Sequence, residues 1–145
     1  MIVIKLTSNE LQYITIFSNL TKATILDCLV TDGRVIFIAA KGELGKAIGK
    51  DAIYLKEAKK LFGKQVEVVE KTDDLEKFIR NIFSSININS IKIKKMNDEK
   101  GNEKYFVSIL TDPFHRGIAI GREGERIKAA NKLLQRYFNA EIKIL

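Results

Sequence analysis

Two short loops carry the residues of this 145-residue chain best placed to do chemistry. The clearer one is Gly121-Arg122-Glu123-Gly124, entered from Ala119-Ile120. An imperfect echo comes earlier: Ala47-Ile48, then Gly49-Lys50-Asp51-Ala52. In each, an apolar pair leads into a tight loop and a basic helix leaves it. Glycine opens both loops, because it takes positive φ freely and lets another backbone come within contact distance. A basic side chain follows at once. Such a loop can press backbone N–H groups against a phosphate, with the N-terminus of the next helix adding partial positive charge. The plainer alternative is a tight helix–helix turn that needs glycine and binds nothing.

Catalytic chemistry has less to stand on. The sequence offers no paired carboxylates on a recognisable motif, no His/Cys/Asp/Glu cluster with metal spacing and no Ser/His/Asp set. The lone His115 lies near a helix start and reads as a surface or capping residue. The single Cys28 cannot form an internal disulfide and reads as a small buried hydrophobe in a strand. We therefore expect no enzyme, no metal, no cofactor and no small-molecule substrate. Met1 to Leu6 is too short an apolar run for a leader, and no stretch approaches the roughly 18 apolar residues of a membrane span. A cytoplasmic protein without a membrane partner is expected.

The net charge is +7, and its position along the chain matters more than its size. Segment 41–64 holds seven Lys/Arg and three Asp/Glu, and segment 116–143 holds the same numbers. The rest of the chain carries 11 basic and 12 acidic groups. The excess positive charge thus sits on the two loop–helix segments, which points to a polyanion, most often nucleic acid. A solvated lysine-rich helix face is the alternative.

The elements that position these loops are legible in outline. Thr7 or Ser8 can cap a helix over 9–22, with Glu10 at capping-box distance from Thr7. Residues 24–30 and 34–39 read as strands joined by the Asp32-Gly33 turn. A short helix over 43–48 enters the first loop, 49–52. A helix over 53–62 leaves it, stopped by Gly63, and a strand closes the half at 65–69. The order then restarts. Thr72-Asp73-Asp74 caps a helix with Leu75, Phe78, Ile79, Ile82 and Phe83 on one face. Residues 86–95 alternate as a strand with an irregularity near Asn89-Ser90, and 105–110 return. Asp112 caps a helix over 113–120 that begins at Pro113. The second loop, 121–124, follows, then a helix over 125–138 and a strand over 141–145. Tyr105, Phe106, Tyr137 and Phe138 read as core rather than as stacking platforms.

The halves are an ancient repeat. With a shift of 72, Ala47 to Lys50 aligns with Ala119 to Arg122, Gly45 with Gly117 and Lys56 with Lys128. A shift of 76 aligns Phe62 with Phe138 and Val66 with Ile142. The expected architecture is α+β: two units, 1–71 and 72–145, each with helices on one face of a small three-stranded sheet.

An apolar residue and Gly-basic-x-Gly between two helices, inside an αββααβ frame, resembles the KH domain of the prokaryotic type (type II). Ile120 to Gly124 matches its GxxG loop completely; Gly49 to Ala52 matches with the fourth position changed. Two such domains in tandem look like the archaeal NusA-like transcription factors. The phrase Gly42 to Lys50, followed by Gly63 to Val69, is close to that family's first KH domain. The resemblance implies single-stranded RNA binding, in which the GxxG loop clamps the backbone of about four nucleotides. Arg122 would then supply charge between Gly121 and Gly124, beside Glu123. Ile120 and Ile127 would line the groove for bases, and Lys128 and Lys132 would extend the electrostatic track. In the first copy Lys50 would replace Arg122 between Gly49 and Asp51, with Ile48 and Ile53 in the groove.

Ala52 departs from the pattern, since positive φ is costly for alanine. The second copy is therefore expected to clamp RNA better than the first. The implied role is transcription elongation, termination or antitermination, with the elongation complex as a further partner. An rRNA-maturation or ribosome-associated role, or a protein-interaction scaffold, remains the alternative.

Overall fold

The computed structural model describes residues 6–145. Of the apolar opening Met1 to Leu6, read above as too short for a leader, residues 1–5 lie outside the described residues. The chain divides into two compact units, with the division between Asp74 and Leu75.

The first unit runs α1 (Ser8–Thr21), β1 (Ile25–Val30), β2 (Arg34–Ala39), α2 (Leu44–Ile48), α3 (Ile53–Phe62) and β3 (Gln65–Glu70). Helix α1 starts where its sequence allows. The Thr7 hydroxyl accepts from the Glu10 N–H, and the Glu10 carboxylate accepts from the Thr7 N–H, completing a capping box. Strands β1 and β2 form an antiparallel hairpin, and β3 lies parallel to β2. Parallel pairing needs a crossover, and the two helices with their loop supply it. The core gathers Phe17, Cys28, Val35, Phe37, Ala47, Ala58 and Val66. The Phe17 and Phe37 rings stack with centroids 4.2 Å apart. Alanine at 47 and 58 leaves room for α2 and α3 to approach this layer.

The second unit repeats the order: α4 (Leu75–Ile82), β4 (Ile88–Asn97), β5 (Glu103–Thr111), α5 (Pro113–Ile120), α6 (Glu125–Phe138) and β6 (Ala140–Ile144). Its sheet order is β4-β5-β6, antiparallel and then parallel. The irregularity at Asn89-Ser90 is a register shift between Ile88 and Ser90. Phe78, Ile79, Val107, Ile109, Leu133, Leu134 and Ile142 are buried. Asn131 on α6 bonds both backbone groups of Ile142, at 3.2 and 2.8 Å, which satisfies part of an otherwise open sheet edge. Strand β5 extends two residues before its expected start. Asp98 organises the hairpin turn by accepting from the Lys100 and Asn102 N–H groups, both at 2.9 Å, so the ladder runs on to Asn97 and Glu103.

Each unit is thus a three-stranded α+β layer pair, as expected from the repeat. No helix among the described residues is long and apolar enough to cross a membrane.

Candidate nucleic-acid interface

The second loop is built from its flanking helices inward. Asp112 accepts the His115 N–H at 2.9 Å and Pro113 takes the first helical position, so α5 starts sharply. It ends as the Gly121 N–H reaches the Gly117 carbonyl at 2.9 Å. Gly121 then adopts φ 77°, ψ 172°. A Cβ there would stand 2.9 Å from both the N and the Cβ of Arg126, so glycine is required twice, by conformation and by close approach. Glu123 and Gly124 follow in the left-handed region, at φ 57° and 74°. The Gly124 N–H closes the turn on the Gly121 carbonyl at 3.1 Å.

The first loop is the same object. Gly49 has φ 79°, ψ 168°, and a Cβ there would meet the Tyr54 ring at 2.6 Å. Asp51 and Ala52 take φ 56° and 58°, and the Ala52 N–H closes on Gly49 O at 3.1 Å. The alanine accepts the left-handed conformation that a glycine adopts in the second copy. Neither Ala52 nor Gly124 caps its helix with a side chain. The first turns of α3 and α6 therefore present backbone donors and positive dipole ends at the loops.

The side chains fall as follows. Lys50, Asp51, Arg122 and Glu123 are exposed at the loop tips. Lys128 folds back to Gly124, and its Nζ lies 3.4 Å from the Glu123 carbonyl, which brings a second cation to the loop. Lys132 is exposed one turn further along α6. Ile48, Ile120 and Ile127 are half-buried; Ile53 is 50% exposed. Each loop is thus gathered with the charges next to it in sequence.

Two residues escaped the sequence reading. Phe114, 77% exposed, and Ile118, 39% exposed, stand one turn apart on α5 and lead toward Gly121. Their signal was an apolar i, i+4 pair on a helix whose buried contact is Ala119. In the first copy the 72-residue shift puts Gly42 and Lys46 at these places. The placement of Phe106 is corrected outright. Expected in the core, it is 38% exposed, because its position in β5 points it away from the layer of Val107 and Ile109. Tyr137 and Phe138 pack on Phe78, with centroids 5.5 and 5.4 Å away.

His115 belongs to the helix cap. Its Nδ1 lies 2.8 Å from Asp112 Oδ2. Asp112 is held below the usual aspartate pKa, first by the backbone N–H of His115 and then by the imidazole. Among the described residues, no group of three His, Cys, Asp or Glu is arranged to hold a metal ion.

Known proteins resemble this chain over most of its length. The family model described as "KH domain" matches residues 12–97. A protein of Methanocaldococcus jannaschii named "Probable transcription termination protein NusA" is 34% identical over 143 residues, 98% of this chain and 75% of that protein. A protein of the same name from Halococcus morrhuae is 32% identical over 138 residues, 95% of each chain. The crystal structure of APE1850 superposes with a TM-score of 0.74 at 33% identity, covering 97% of this chain and all of that one.

Proposed function

Because the chain belongs to the KH domain family, and to its archaeal NusA-like branch, we propose that it binds single-stranded RNA through its two glycine-opened loops and works in transcription. One observation carries the reading: both loops hold the same strained backbone, each opened by a glycine whose replacement would press a Cβ against Arg126 or Tyr54. A plain helix–helix turn does not need three positive φ values within four residues. A clamp on a nucleic-acid backbone accounts for them, since they hold the basic loop tip out beside a helix N-terminus.

In this reading the chain is a binding factor and not an enzyme. Arg122 and Lys128 neutralise phosphates at the second loop, with Lys132 extending the track along α6. Ile120 and Ile127, together with Phe114 and Ile118, offer apolar surface to bases. Lys50 serves the first loop, flanked by Ile48 and Ile53. The names of its relatives support termination as the step at which it acts, and the elongation complex would then be its further partner.

The test is fluorescence anisotropy with a randomised single-stranded RNA, against duplex RNA, over a salt series. We expect preference for the single strand, a loss of at least tenfold with Arg122→Asp, and a smaller loss with Lys50→Asp. Each phosphate contact removed should flatten the salt dependence by about 0.7 in slope. Binding indifferent to both substitutions would mean that the loops are structural turns.

A further inference from the structure

We propose that the helix-free face of the second sheet is a further contact for single-stranded RNA, separate from the loop at 121–124. It rests on the reading that this chain binds RNA, but not on the loops being the clamp.

Directly paired residues of a sheet share a face, so the ladder fixes what stands together. One row across the sheet is Lys92, Ser108 and Lys143; the next is Lys94, Phe106 and Glu141. Lys92, Lys94, Phe106 and Lys143 are exposed, around a shallow groove of about 560 Å³. Among the described residues, Lys92, Lys94 and Lys143 form no ion pair. The one acid of the two rows, Glu141, is shared with Lys104 at 3.8 Å. Lys104 also lies against the Phe106 ring, 5.3 Å from its centroid.

Chemistry selects the occupant. Lys92 and Lys143 flank the Ser108 hydroxyl at about two strand spacings, roughly 10 Å apart. Like charges across a sheet repel, and an anion above the serine would relieve them. A phosphate has the charge and the acceptor oxygens for that place. One row away, an exposed aromatic ring beside a cation suits a base, since every base offers a π face. Phosphate and base adjacent on an open, flat surface describe a single strand. A duplex hides its bases, and an acidic protein would leave the ring unused.

The first sheet lacks the feature. The 72-residue shift puts Arg34 and Ile36 where Phe106 and Ser108 stand. Arg34 is ion-paired with Glu67, and Ile36 is 3% exposed. The basic face therefore belongs to the second unit alone.

The experiment compares randomised 5- and 15-nucleotide RNAs on the full chain. Lys92→Gln/Lys143→Gln should weaken the 15-mer about fivefold and flatten its salt slope by about 1.4, two phosphates' worth. It should leave the 5-mer, held at the loop, unchanged. Phe106→Leu, which keeps apolar volume but no ring, should weaken the 15-mer without changing the slope. Independently of any variant, a 15-mer carrying 4-thiouridine should crosslink to the peptide containing Phe106. Sheet variants that change nothing, with crosslinks confined to the loops, overturn the proposal and leave an acidic protein as the face's partner. Undiminished 15-mer binding in Arg122→Asp/Lys50→Asp, lost with Lys92→Gln/Lys143→Gln, would support the sheet face and overturn the loop reading.

Discussion

The two loops differ at their fourth position, and the difference is one of conformation rather than space. A Cβ on Gly124 would stand 3.7 Å from Lys128 and 3.9 Å from Ile127, which is ordinary contact. Ala52 places its methyl in the equivalent position at φ 58°. The left-handed conformation costs an L-residue roughly 1–2 kcal/mol, less the entropy that glycine loses on folding. Ala52→Gly should therefore stabilise the protein by about 0.5–1 kcal/mol, and Gly124→Ala should destabilise it by a similar amount. Gly121→Ala should cost clearly more, because strain is joined by a contact of 2.9 Å with the backbone N of Arg126. Urea denaturation of the three variants checks the order. Equal losses for Gly121→Ala and Gly124→Ala would remove close approach as the reason for the first glycine.

At the scale of elements, α5 delivers Gly121 to its place, and its start depends on one carboxylate. Asp112 has its pKa lowered in the folded state, so its contribution is complete above the ordinary aspartate value of about 3.9 and is lost as pH falls through the lower folded value. Protection of the α5 amides against exchange should therefore fall below pH 4. Asp112→Asn, which can still accept the His115 N–H, should remove that dependence; an unchanged acid profile would show that the charge is not what holds the cap. Asp112, Pro113 and the glycines were legible in the sequence because capping and positive φ are local demands. The capping box at Thr7 and Glu10 was legible for the same reason. The exposure of Phe106 was not, because an apolar residue amid an apolar run shows its face only once the strand is paired. The lysines of β4 were hidden differently. Summed along the chain, the five lysines of 92–104 are partly offset by Asp98, Glu99 and Glu103, yet those acids lie in or beside the hairpin turn at the far end of the strand. Charge along a sequence averages what a sheet sorts by face.

At the scale of the whole molecule, the duplication gives two loops of one geometry and two kinds of surroundings. Both carry cations, but only α5 adds exposed apolar side chains, where the first copy has Gly42 and Lys46. Ionic contacts weaken with salt, because binding releases counterions that a salty solution already supplies. Stacking and apolar burial do not depend on that release, and a base stacked on an aromatic is worth about 1–3 kcal/mol. A salt series should therefore divide the contributions of the two copies. Lys50→Asp should weaken RNA binding at about 50 mM salt and make little difference at about 0.5 M, where its contribution has already gone. Phe114→Ala/Ile118→Ala should cost at least fivefold at both concentrations and leave the slope as it was. Anisotropy titrations of the two variants decide the matter. If both lose affinity in parallel across the series, the two copies bind alike and the apolar stripe on α5 has no part in holding bases. If only the α5 variant fails at high salt, the second unit holds the bases and the first supplies charge.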